Sequence, residues 1–127
     1  MRHIPSAFVI GVAALTLSAC ASALRPCDGS EYPTFYRESL IRKVTLADAE
    51  RRWLAQMELE TIPAEARAKV IESTKESLAE FESQTLPTDE LWIYRYEKCA
   101  GCGWYTEGLV ALRESCIAAE LPMKDDM

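Results

Sequence analysis

Histidine is almost missing from this chain. Of 127 residues only His3 is one, and it lies in an N-terminal segment that reads as a leader. Downstream of it, no Ser-His or Cys-His nucleophile pair and no imidazole metal site can be built. A C-x-x-C-H haem attachment is excluded as well, because Gly103 follows Cys102 where that histidine would stand. The G-x-S-x-G, Walker and dinucleotide fingerprints are also absent, as are internal repeats and low-complexity runs. Positive charge is scarce, with 14 Lys and Arg against 20 Asp and Glu. Such a surface repels phosphates, so nucleic acid is not an expected partner.

What is present begins at the N-terminus. Met1-Arg2-His3 gives a short positive start, Ala7 to Leu17 is a compact apolar run, and Leu17-Ser18-Ala19-Cys20 follows at once. That order predicts a secretory signal. An uncleaved membrane span is the competing reading, since no charge occurs from Ile4 to Leu24. Against it, Pro5, Ser6, Ser18 and Ser22 dilute both ends of the roughly 20 apolar residues that a span needs. The segment LSAC resembles the lipobox of bacterial lipoproteins, a resemblance confined to residues 1–20. It implies cleavage before Cys20, a diacylglyceryl group on the Cys20 sulfur and acylation of the new N-terminus. Two or three chains anchor a protein stably where one does not. Ala21, in place of Asp, implies the periplasmic face of an outer membrane if the host has two membranes. Loss of Arg2 would leave 13 of the 14 basic residues against 20 acidic ones, a net charge of −7.

The mature chain is long enough for one small domain. Residues 20–34, with small residues, Pro26, Pro33 and Asp28-Gly29, predict a lipidated N-terminus and flexible tether. The domain itself is then expected over 35–127. Residues 35–44 fit either an early turn of the first helix or an irregular lead-in. Thr45-Leu46-Ala47-Asp48 has the form of a capping box, and Leu46, Ala49, Trp53 and Met57 fall on one stripe, which predicts a helix. A second, longer helix is expected from Pro63 to about Ser83, before the turn residues of Leu86-Pro87-Thr88-Asp89. The period then changes to two. Leu91 to Glu97 reads as a strand with apolar material on both faces, and Leu109–Arg113 and Cys116–Leu121 read as a hairpin turning at Glu114-Ser115. The expected fold is therefore α+β, with two helices packed on a three-stranded antiparallel sheet.

The runs Thr45-Leu46-Ala47-Asp48-Ala49-Glu50 and Leu91-Trp92-Ile93-Tyr94-Arg95-Tyr96 resemble the first helix and first strand of small outer-membrane lipoproteins of the SmpA/OmlA kind, accessory subunits of the outer-membrane protein assembly machinery. The resemblance implies the same order of tether, two helices and three strands. The chain departs from that pattern in having Lys43-Val44 where a glycine is usual, in lacking a Leu-Gly-x-Pro stop, and in its longer second helix. Function is not carried over on a shared element order.

With Cys20 assigned to lipid, Cys27, Cys99, Cys102 and Cys116 remain, an even number that points to disulfides in an exported protein. The three possible pairings stay open. A bond from Cys27 to any later cysteine would close a long loop and contribute on the order of 4 to 5 kcal/mol. Cys99-Ala-Gly-Cys102 admits two chemical alternatives to a structural brace. A redox dithiol fits the spacing but lacks a helix N-terminus, and a zinc site would need Cys27 and Cys116 as its other ligands. Trp92, Tyr94, Tyr96 and Trp104 form a candidate binding surface, or core beneath a helix. Glu58 with Glu60, and Glu80 with Glu82, lie two apart on helical pattern and read as solvated faces, not acid-base pairs. No catalytic residue, metal or cofactor is expected. The expected function is a lipid-anchored envelope protein with a non-catalytic structural or protein-binding role, its partners the membrane and another envelope protein. The alternative is a periplasmic thiol redox or zinc protein acting through Cys99 and Cys102.

Overall fold

The computed structural model describes residues 22–97 and 99–125, so the signal segment and Cys20 lie outside it. Helix α1 (Leu46–Gln56) begins where the capping pattern predicts. Thr45 is extended, and its hydroxyl accepts the Asp48 backbone N–H at 3.1 Å. Asp48 in turn pairs with Arg51. After a 3-10 turn (Leu59–Thr61), Pro63 precedes helix α2 (Ala64–Ser83). This helix also ends where expected, and Asp89 accepts the Leu86 N–H at 2.8 Å in the turn that follows.

The sheet corrects the expectation. It has six strands, not three: β1 (Ala23–Pro26), β2 (Phe35–Tyr36), β3 (Leu40–Lys43), β4 (Glu90–Glu97), β5 (Tyr105–Arg113) and β6 (Cys116–Asp125). Their order is β2-β1-β6-β5-β4-β3, and it is mixed, because β1 runs parallel to β6 while the other pairs are antiparallel. The β5–β6 hairpin turns at Glu114-Ser115 as expected, with Glu114 at a positive φ of 61°.

The physical reason for the extra strands is that both faces of β4–β6 are apolar, and two helices can cover only one. On the helix side, Ala49, Leu78 and Phe81 pack on Ile93, Leu109, Ala111, Ala119 and Met123. The other side carries Tyr94, Val110, Leu112 and Ile117, which Leu24 and Phe35 cover with help from Leu40 and Trp92. The residues expected to form a flexible tether are thus partly strand: Leu24 on β1 is 1% exposed. Likewise 35–43, expected as helix or lead-in, supplies β2 and β3.

Covering that second face bends the sheet. Strands β2 and β3 stand at its two opposite edges, yet only the 3-10 turn Arg37–Ser39 separates them in sequence. Even fully extended, the chain from Tyr36 to Leu40 reaches only about 14 Å. A flat sheet of this order would hold those edges about 24 Å apart. The sheet therefore curls into a half-barrel, with 35–43 as a strap joining its edges. Phe35 then meets Tyr94 across the interior, ring centroids 4.5 Å apart, and lies 5.9 Å from Tyr96.

Curling this tightly needs a gap in one strand. Tyr94 pairs with Gly108, and its ring lies over that residue. A Cβ on Gly108 would stand 2.4 Å from the Tyr94 hydroxyl oxygen and 2.6 Å from the Leu121 carbonyl oxygen. The second atom is backbone and cannot swing aside, which is the usual meaning of glycine inside a strand. Gly108→Ala should therefore lose about 1 to 3 kcal/mol of stability, as overpacked cores do. Urea denaturation measures this, and an unchanged midpoint would contradict the placement of the Tyr94 ring.

Candidate functional site

At the mouth of the half-barrel, Tyr32, Phe35 and Tyr36 from the β1–β2 region face Tyr96 and Glu97 from the end of β4, with Glu120 of β6 between them. They bound a cleft of about 410 Å³. Phe35 is core, but the three tyrosines are wet: Tyr32 is 81% exposed, Tyr36 56% and Tyr96 40%. Glu120 is half-buried, and one of its oxygens, Oε1, accepts the Tyr94 hydroxyl at 2.7 Å. That bond depends on the gap at Gly108, over which Tyr94 reaches from β4 to β6. Glu97 is held by the Gly101 backbone N–H at 3.2 Å.

Among the described residues, Glu107 and Glu120 are the sheet's wholly or partly buried carboxylates and Asp89 stands just before β4; of these three only Glu120 has no arginine partner. Glu107 on β5 is 4% exposed; Arg52 from α1 grips it at 3.0 and 2.9 Å, and Gln56 donates to it at 2.6 Å. Burial disfavours its charge, but Arg52 and Gln56 outweigh that and hold the Glu107 carboxyl below its ordinary range. Asp89 is clamped by Arg113 at 3.0 and 2.9 Å, which lowers its pKa too. In Glu120 burial prevails over the single Tyr94 hydroxyl, and the pKa is raised. Glu107 and Asp89 are locks, one fixing α1 on the sheet and the other fixing the 86–89 turn on the hairpin. Asp89 also borders a hollow, beside Phe81 and Leu86, but its carboxylate is taken by Arg113, whereas Glu120 borders the tyrosine cleft with only the Tyr94 hydroxyl on it.

The four described cysteines form two pairs. Cys27 and Cys116 are bonded, Cα atoms 4.9 Å apart across 89 residues of sequence, and Cys99 is bonded to Cys102. The first bond ties the chain just after β1 to the start of β6. The second closes a small exposed loop between β4 and β5. The two pairs lie at opposite ends of β5, so the four thiols weighed for zinc do not converge. Among the described residues no three His, Cys, Asp or Glu cluster as metal ligands would.

The aromatic stripe of β4 does not form one surface. Tyr94 is fully buried, Trp92 is half-buried in the barrel interior, Tyr96 lines the cleft, and Trp104 is 55% exposed beside the Cys99–Cys102 loop. Glu58, Glu60, Glu80 and Glu82 are all exposed. Sequence reasoning missed Tyr32, Tyr36, Glu97 and Glu120. Glu120 did leave a signal, as a lone charge within the apolar run Ile117 to Leu121. The tyrosines left none, since their meeting depends on curling. Comparison with protein-family models, with curated proteins and with solved structures finds no match.

Because the folded Glu120 pKa is raised, the folded state binds the proton more tightly than the unfolded chain. Its contribution is fully favourable below the ordinary glutamate value of 4.5 and is lost as pH rises through the raised folded value. Glu120→Gln keeps an acceptor for Tyr94 without the charge. The variant should be more stable than wild type at neutral pH, with the advantage vanishing as pH falls below the unfolded value. Thermal unfolding from pH 4 to 8 checks this, and a variant less stable than wild type at pH 7 would refute the placement of Glu120.

Proposed function

We propose that this is a lipid-anchored protein of the cell envelope, on the periplasmic face of an outer membrane where the host has one, with a non-catalytic role in binding another envelope component. The observation that carries this reading is the cysteine pairing. Both disulfides suit an oxidising compartment, and they use every cysteine after Cys20, so the lipobox cysteine is left for lipid. The position of β1 fits the same reading. Its first residue, Ala23, is three residues past Cys20, so a lipid there would hold the half-barrel within about 10 Å of the bilayer surface. Among the described residues no helix is long and apolar enough to cross a membrane, and the anchor proposed is acyl, not helical. The binding surface offered is the tyrosine cleft, since solvent-facing aromatics around a partly buried polar group are what recognition sites use.

A second reading, thiol redox chemistry, is favoured by the exposure of Cys99 and Cys102, which leaves their disulfide open to attack by a thiolate. Equilibration of the purified protein with glutathione buffers decides between the two. A Cys99–Cys102 bond that persists through the poise of an oxidising compartment supports the binding role, and ready reduction there supports redox.

The anchor is tested by metabolic labelling with a palmitate analogue. Wild type should incorporate label and fractionate with membranes, and Cys20→Ala should do neither. Equal labelling of the variant, or a mature N-terminus other than residue 20, would overturn the anchor.

A further inference from the structure

The geometry points to the cleft as a receptor for an organic cation, an alkylammonium group seated among Tyr32, Tyr36 and Tyr96 against the Glu120 carboxylate. The inference rests on reading the cleft as the binding surface and names the chemistry it selects.

Three observations converge on it. First, Glu107 and Asp89 are both neutralised by arginines of this chain, whereas the partner found for Glu120 is a neutral hydroxyl. A partly desolvated carboxylate without a countercharge attracts one from outside. Second, its neighbours are tyrosines, not further charges. Aromatic faces attract cations, and they favour an ammonium with alkyl substituents over a strongly hydrated metal ion. Consistent with this, no metal-like cluster of ligands occurs among the described residues. Third, the sign of the whole molecule agrees. The chain has 20 acidic residues against 14 basic ones, and Glu97 adds a second carboxylate at the cleft wall. An anionic ligand would be repelled by both carboxylates, and a neutral one would gain only the tyrosine surface. The volume of about 410 Å³ suits a small organic molecule or one side chain, and lies within the usual range for ligand clefts.

The site is framed by exposed residues on a rigid support. Tyr96 stacks on the buried Tyr94, centroids 6.0 Å apart, and Phe35 packs tilted against both rings. Tyr96 is thus held in place by its packing, and the ordering left for binding falls on the exposed Tyr32 and Tyr36.

The test uses the full chain in a non-ionic detergent, titrated with choline, with Nα-acetyl-lysine methylamide, and with 3,3-dimethylbutanol, the uncharged analogue of choline. Chemical-shift changes of the Tyr96 and Glu120 amides report binding. Choline or the lysine derivative should saturate the site and 3,3-dimethylbutanol should not, which also tells a quaternary from a primary ammonium. Glu120→Gln, which keeps the Tyr94 hydrogen bond, should weaken binding about tenfold, the scale of one charged contact. Tyr36→Ala, at an exposed position, should weaken it without affecting folding. Equal binding of the neutral analogue, or an unaltered affinity in Glu120→Gln, would overturn the cation assignment while leaving the cleft a binding site. No saturable shift with any of the three probes would overturn both.

Discussion

The structure depends on a constraint of chain length. Two strands at opposite edges of a six-stranded sheet are joined by a single 3-10 turn, Arg37–Ser39, so the edges have to approach one another. Once the sheet has curled, its inner face closes over Leu24, Phe35, Tyr94, Val110, Leu112 and Ile117. The helices then pack on the outer face, where Arg52 and Glu107 fix α1 in place. The Cys27–Cys116 bond acts on the same side of the problem. It ties β1 to β6 beside the point where they pair, which removes freedom from an unfolded chain that would otherwise have to close a long loop.

Curling also accounts for the cleft. Tyr32 and Tyr36 are distant from Tyr96 and Glu120 in sequence and would be far apart on a flat sheet. The strap brings them together at the open end of the half-barrel. The same bend requires the gap at Gly108, through which the Tyr94 hydroxyl reaches Glu120. One glycine thus links the packing of the interior to the state of the carboxylate at its mouth. The cleft we propose for recognition thus has buried aromatics beneath it and exposed ones at its rim.

Both helices were legible in the sequence because their signals are local. Thr45 caps through its own third neighbour, and the Pro63 start and the Leu86-Pro87 stop act on adjacent residues. Strands β4, β5 and β6 were legible for the same reason, by period two and a two-residue turn. The short strands were not. Phe35-Tyr36 is two residues long, and Ala23–Pro26 and Leu40–Lys43 are four each, too few to establish an alternation. Their strand character comes from partners far along the chain. What the sequence did contain was a demand. Leu91 to Glu97 carries apolar material on both faces, and two helices can cover only one, so a second cover was required. For the aromatic stripe, surface and core both stay open in the sequence, because alternation gives the side of a strand but not the depth at each position. Tyr94 and Tyr96 share a face, yet curling buries the first and leaves the second at the rim.

The central claim, that residues 35–43 join the two edges of one curled sheet, is tested most directly by nuclear Overhauser contacts across the barrel. The account predicts cross-peaks from the Phe35 ring to the Tyr94 and Tyr96 rings, together with contacts between the Leu24 and Phe35 backbones on one edge and between Leu40 and Tyr94 on the other. If Phe35 showed contacts to β1 but none to Tyr94 or Tyr96, the sheet would be open, and both the enclosed second core and the cleft built on it would be contradicted.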